Sequence, residues 1–410
     1  MSGPEIEFTL RGPFFDADGA IVAEGRHTAK ADGAATFRPA SADSIFTLHN
    51  VTIGKQFHWE RNEEQSFRGT LVLTPVEGML EAVNIVDVET YLESVISSEM
   101  SPTAGLEFLK AHAVISRSWV FAQLARDSRQ RAAVAGTSTD EETVRWYDRS
   151  SHSRYQFCAD DHCQRYQGVG RQTCSRAVEA VRSTRGQVLL DCDGRVCDAR
   201  FSKCCGGAME VFSTCWDDTD YHYLQARSDS RHPDQLPDLT NEVEAVKWIE
   251  GRPDAFCRDV PEDVLSQVLN SYDQETTDYY RWTECIDVGR LSEIVREKSG
   301  IDFGTITGLT PLRRGKSGRI SRLLVTGTRR SMVVGKELEI RRWLSESHLK
   351  SSAFTTRFSP DGATVELHGA GWGHGVGLCQ IGAANMGAQG YGYLDILQHY
   401  YPGSHVGKHY

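Results

Sequence analysis

Apolar and polar residues alternate through residues 5–90, in IEFTLRG, FTLHNVTIG and GTLVLTPV, with glycine-containing breaks between the runs. A period of two turns one face of each run toward a core and the other toward water, which predicts strands. The period then changes. Val88, Leu92, Val95 and Ile96 recur at helical spacing until Pro102 stops the pattern. A second helix is expected to begin near Thr103, with Leu106, Leu109, Ala113 and Ile115 largely on one side. Residues 135–175 are polar and turn-rich, and GQVLLDCDGRVCDARFS then sets two apolar runs around Asp193-Gly194, a strong hairpin signal. NEVEAVKWIEG predicts a helix inside residues 228–280, strand-like runs return at RISRLLVTG, SMVVG and ATVELHG, and YLDILQHYY closes the chain as a helix before Pro402. Strands and helices do not alternate regularly. The expected fold is therefore α+β, with mixed or antiparallel sheets, helices around a central groove and more than one lobe. The expected divisions are a β-rich lobe at 1–87, a core with the helix pair at 88–227, an insertion or helical lobe at 228–300, and a return to the core at 301–410.

Composition narrows the classes of partner. The chain has 410 residues, enough for two or three lobes, and its 40% hydrophobic and 25% charged content is ordinary for a globular protein. Its net charge of −11 comes without a long block of like charge, which argues against nucleic acid and for a neutral or polar ligand. No apolar run approaches the roughly 18 residues needed to span a bilayer. The opening MSGPEIEF lacks the basic and apolar segments of a secretory signal. Eleven cysteines are many for a cytosolic chain, and an odd number precludes complete pairing within it. An exported protein with metal-bound, paired and free cysteines fits this usage best.

Candidate chemistry begins at Glu99, which falls between the two helical patterns. A carboxylate in a junction walled by apolar side chains is poorly solvated, which raises its pKa and suits it to donate a proton near neutral pH. A solvated glutamate at a helix end is the alternative that composition favours. Lys110 and Arg117 are seven apart, hence near one helix face, and could accompany it. A second cluster lies in SHSRYQFCADDHCQRYQG, where His152, Cys158, His162 and Cys163 fall within twelve residues. Two imidazoles and two thiolates make a tetrahedral set that zinc favours. A Cys158–Cys163 disulfide with two surface histidines is the other reading. Near the C-terminus, GAGWGHGVGLCQIGAANMGAQG lacks the ending of a phosphate-binding loop. Its glycines allow a backbone-dense wall. The N–H groups of that wall, with Trp372, His374 and Gln380, suit a polar saccharide bearing N-acetyl groups.

These segments resemble, in order, the motifs of the stage II sporulation protein D and amidase-enhancer family. ETYL, SSEM and FLKAHAVISRSW are similar to its first signature, FSKCCGG to the segment bordering its active site, and GAGWGHGVGLCQ with LQHYYPG to its C-terminal motifs. His112 and Ser118-Trp119 depart from the usual glutamine and Thr-Tyr pair. The resemblance implies a peptidoglycan lytic transglycosylase, or alternatively a non-catalytic glycan-binding enhancer of an N-acetylmuramoyl-L-alanine amidase. It carries the catalytic acid onto Glu99, and it puts Lys110 and Arg117 at conserved basic positions. Lys203, with Ser202, then faces the sugar chain, and His374 and Gln380 line the groove. Some members carry a similar His, Cys, His-Cys metal loop, which implies a structural zinc. The gap before the His-Cys pair is one residue shorter here, so Cys174 or a water could complete the shell. Peptidoglycan strands and a cell-wall amidase are the implied partners. The implied location is exported, periplasmic or cell envelope, with a start trimmed of its leader or anchor. Cys204 or Cys205 is expected to pair with Cys215, and Cys257 with Cys285.

Overall fold

The computed structural model describes residues 1–53, 60–101, 103–127, 136–147, 154–159, 163–171, 175–268, 278–347 and 349–410. The fold is α+β, as expected, and the chain divides into two compact units. The first comprises Met1–Arg117 and His152–Arg185, the second Ser118–Ser151 and Gly186–Tyr410. These units group the segments differently from the four expected divisions, and the first boundary between them falls inside a helix.

In the first unit, alternation produces two antiparallel sheets. Gly25–Lys30, Glu5–Arg11, Ile45–Ile53 and Arg61–Phe67 form one in that order. Ile6, Phe8 and Leu10 all point inward from Glu5–Arg11, as a period of two requires. The other sheet is ordered Ser2–Gly3, Met79–Ile85, Thr70–Val76, Ala35–Pro39, Phe14–Phe15, Ile21–Val22.

Helix α1 (Val88–Glu99) follows at once. Asp87 starts it as N-cap, its carboxylate accepting the Thr90 N–H at 3.0 Å. Leu92, Val95 and Ile96 are fully buried, as their spacing predicts. Helix α2 (Leu106–Asp127) is a greater departure. Every residue from 111 to 120 is buried, so it is enclosed on all sides instead of one. The polar residues on it have partners that a sequence pattern does not reveal: Arg117 binds Glu89, and Ser118 Oγ accepts the Leu189 N–H at 2.8 Å. Helix α3 (Ser175–Ser183) also belongs to the first unit.

In the second unit, a five-stranded sheet runs Gly136–Ser138, Glu142–Arg145, Ser331–Gly335, Ile320–Gly327, Ile306–Arg314, with its second and third strands parallel. The 228–300 segment does not stand apart. Its strand Arg281–Asp287 pairs antiparallel with Thr364–Ala370, and Trp282 and Leu291 share a core with Ile320, Trp343 and Leu367. The predicted helix Glu242–Glu250 forms, capped by Asn241, and so does Tyr393–Tyr400. Asp193-Gly194 makes the expected tight turn, with Gly194 at φ +74°. The strand leading into it, Gln187–Leu190, takes its ladder from His405–Lys408 at the chain end.

Candidate functional site

Within the first unit, Glu99 is the last residue of α1 and is half-buried. Its Oε1 accepts the backbone N–H of Arg165 at 2.9 Å, and Ser98 Oγ accepts that of Gln167 at 3.3 Å. The chain just after Cys163 therefore lies along the end of α1. Tyr91, one face of the same helix, stacks on Tyr166 with centroids 5.0 Å apart. Burial pushes the Tyr91 phenol well up, and its ionisable neighbours Cys163, Glu99, Tyr166 and Cys158 act in the same direction. Glu99 and the two cysteines thus share the surroundings of one buried phenol. Position at a helix C-terminus sets Glu99 against the negative end of the macrodipole, while the Arg165 N–H favours its anion.

Of the expected metal ligands, Cys158 and Cys163 are half-buried, and His152 and His162 lie outside the described residues. Lys110 is half-buried and forms an ion pair with Glu107 at 2.6 Å. Arg117 has no exposed surface. Its Nε and Nη2 hold both oxygens of Glu89 at 3.0 and 2.7 Å, and it also reaches the Ala113 and Val181 carbonyls. The two cations therefore belong to separate pairs, and Arg117 ties α2 to α1 from inside.

Within the second unit, the structure brings the FSKCCGG and GWGHGVGLCQ segments together. Phe201–Ser202 pairs in parallel with Leu378–Cys379, Cys204 and Trp372 exchange backbone hydrogen bonds of 3.0 and 2.8 Å, and the Lys203 carbonyl accepts the Ile381 N–H. Gly371, Gly373, Gly375 and Gly377 all have positive φ, and a Cβ on Gly377 would sit 2.0 Å from the Arg200 carbonyl oxygen. The alternating glycines permit this close backbone approach. Ser202 is buried, its Oγ accepting the Gly375 N–H at 3.2 Å, so it braces the wall. Behind the wall, Arg319 is fully buried and donates to the Gly373 and Cys205 carbonyls. Buried Glu210 accepts from Lys316 N, Ser317 N and Ser317 Oγ.

Lys203, Trp372 and His374 are half-buried, whereas Gln380 is buried as the first residue of the helix Gln380–Ala388. That helix was not anticipated, because its small residues carry no helical period. The Trp372 ring stacks on Tyr279 at 5.2 Å, and His374 packs against Trp216 at 4.9 Å. His374 Nδ1 accepts the Val376 N–H at 3.0 Å, which leaves the proton of the neutral ring on Nε2. Burial, then the charges of Arg200, Arg319 and Arg341, hold this imidazole well below its usual pKa.

The cysteines are arranged otherwise than expected. Cys204, Cys205, Cys215, Cys257 and Cys285 are all unpaired. Cys215 Sγ points to the His374 carbonyl, Cys285 is exposed on a strand, and Cys257 lies against Cys205 with sulfurs 3.7 Å apart. The sulfurs of Cys205, Cys257 and Cys379 and a carboxylate oxygen of Asp229 all fall within 4.8 Å of one another, and all four residues are buried. This Cys/Asp cluster could hold a metal ion. Burial pushes the Cys205 and Cys257 thiols well up. At Cys379 burial acts the same way, but hydrogen bonds from the neighbouring thiols and the Cys205 N–H outweigh it and hold the group well below the usual range. Sequence spacing missed the cluster because its members are scattered over 175 positions; Cys379 was visible only as part of the glycine-rich motif.

Comparison with known proteins bears on both units. The stage II sporulation protein family profile matches residues 76–190, and a domain of unknown function matches residues 210–377. Stage II sporulation protein D of Bacillus subtilis is 22% identical over 331 residues, covering 80% of this chain and 76% of that protein. An uncharacterized protein of Brachyspira hyodysenteriae is 24% identical over 338 residues, 82% of this chain and 71% of its own length. The amidase enhancer of Bacillus subtilis is 24% identical over 323 residues, 76% of this chain but only 40% of the longer relative.

Proposed function

For a chain that belongs to the stage II sporulation protein D and amidase-enhancer family, we propose a cell-wall function: cleavage of peptidoglycan glycan strands by a lytic transglycosylase mechanism. The observation that carries the reading is the position of Glu99, half-buried at the end of α1 and held by a backbone N–H from the segment after Cys163. Glycoside hydrolases generally need two carboxylates, whereas a ring-closing cleavage needs one that acts twice. Protonated Glu99 gives its proton to the glycosidic oxygen between N-acetylmuramic acid and N-acetylglucosamine, and the neighbouring N-acetyl group stabilises the charge at the sugar carbon. The ionised carboxylate then takes the proton of the sugar's own primary hydroxyl as that oxygen closes the anhydro ring. No water is consumed.

In this reading the half-buried Lys110 remains a candidate glycan contact. Arg117, enclosed and gripped by Glu89, is a positioning residue that fixes α1 and hence Glu99. Lys203, His374 and Gln380 are the candidate glycan-binding residues of the wall, with Gln380 offering the least surface. A structural zinc in the loop of His152, Cys158, His162 and Cys163 would brace the segment that reaches Glu99. The location that accords with this activity is exported, periplasmic or cell envelope.

The amidase-enhancer relative favours a second reading, in which the same surfaces hold glycan and stimulate a separate amidase without turnover. One experiment separates the two. Purified protein is incubated with denuded glycan strands and the ends are analysed by mass. Anhydro-muramoyl ends support the enzyme. Intact strands, with stimulation of an added amidase, support the enhancer.

A further inference from the structure

We propose that Cys205, Cys257, Cys379 and Asp229 form a closed, structural zinc site inside the second unit, separate from the histidine-containing loop of the first. The site joins four distant stretches. Cys205 follows the strand Phe201–Ser202, Asp229 and Cys257 come from two irregular segments, and Cys379 caps the helix Gln380–Ala388.

The sulfur spacing carries the inference. Two thiolates on one tetrahedral zinc, each about 2.3 Å from the ion, stand about 3.8 Å apart. Cys205 and Cys257 are 3.7 Å apart, against about 2.05 Å for a disulfide. Three soft thiol ligands and one carboxylate, all within 4.8 Å, match the donor set and number that zinc prefers.

The surroundings are prepared for anionic ligands. Cys379 Sγ accepts the backbone N–H groups of Cys205 at 3.2 Å and Gly382 at 3.4 Å. Asp229 is fully buried, and among the described residues its only ion-pair partner is His399, at 3.4 Å. Its Oδ1 also accepts the Tyr400 hydroxyl at 2.8 Å, and its Oδ2 the Cys257 N–H at 3.2 Å. A buried carboxylate beside three sulfurs, oriented by a tyrosine, a histidine and a backbone N–H, has the outer support usual for a metal ligand. A buried carboxylate whose one ion-pair partner among the described residues is a histidine is otherwise costly, and a dication removes that cost. On binding, the ligand thiols release their protons to solvent and become thiolates, with no change of oxidation state. Because four protein ligands close the shell, the ion has no open position for substrate. It clamps the glycine-rich wall to the turn around Cys257. Cys204, buried and next in the chain to Cys205, lies outside the set of four.

The test uses the full chain carrying Cys158→Ser, which removes a candidate ligand of the first-unit loop, purified without added zinc. Elemental analysis is expected to find one zinc per chain. Adding Cys257→Ser should abolish it, whereas adding Cys285→Ser at the exposed cysteine should leave it. Should Cys257→Ser fail to fold, alkylation with mass mapping on the Cys158→Ser chain decides instead. Cys205, Cys257 and Cys379 are expected to resist alkylation until a chelator is added and then to react as free thiols. Zinc far below one per chain, a Cys205–Cys257 disulfide, or alkylation indifferent to chelator overturns the proposal.

Discussion

Arg165 donates its backbone N–H to Glu99 Oε1 at 2.9 Å, joining the segment after Cys163 to the last turn of α1. One hydrogen bond thereby couples the candidate acid to the loop on which zinc was expected. If Glu99 is the acid and base of the cleavage, Glu99→Gln keeps the shape and the acceptor oxygen but loses the proton. Release of anhydro-muramoyl ends is expected to fall about 10²–10⁴-fold. The melting temperature and glycan co-sedimentation should stay near those of the parent. Undiminished release would reassign the chemistry.

Arg117 and Glu89 make a buried, bidentate pair, and removing either partner strands the other charge. Arg117→Ala is expected to destabilise the fold by about 3–5 kcal/mol, read from the urea midpoint. Arg117→Lys keeps the charge but not the paired geometry and should fall between the two.

His374 gives the fold a pH dependence of definite sign. Its folded pKa lies below the unfolded value, so below about pH 6.5 the unfolded chain binds the proton that the folded chain refuses. The stabilisation is complete above the unfolded pKa and is lost as pH falls through the window beneath it. Urea midpoints between pH 7.5 and 5 should therefore decline with acidification, and less steeply in His374→Phe. Identical slopes would remove His374 as the cause.

Gly377 and Gly390 both have positive φ, but only Gly377 faces a carbonyl at 2.0 Å from an added Cβ; nothing lies within 4 Å at Gly390. Gly390→Ala should cost about 1–2 kcal/mol, the ordinary left-handed penalty. Gly377→Ala should cost more than that, because the parallel pairing of the wall must also shift. Thermal melts of the two variants compare them directly.

The sequence by itself determined the elements whose burial repeats regularly. Alternation in IEFTLRG and helical spacing of Leu92, Val95 and Ile96 translate directly into which side chains are enclosed, because each element buries a single face. The order of the motifs likewise pointed to the family and to Glu99. Periodicity could not describe α2 or Gln380–Ala388, since a helix surrounded by protein has no polar stripe, and its buried arginine and serines are satisfied by residues remote in the chain. The cysteines show the same limit. Eleven thiols are countable in the sequence, but their partners depend on where loops cross. Only the tertiary structure could take Cys257 from its expected bridge with Cys285 and set it beside Cys205, Cys379 and Asp229. Ligand geometry is a property of distances between loops, and no local pattern encodes those distances.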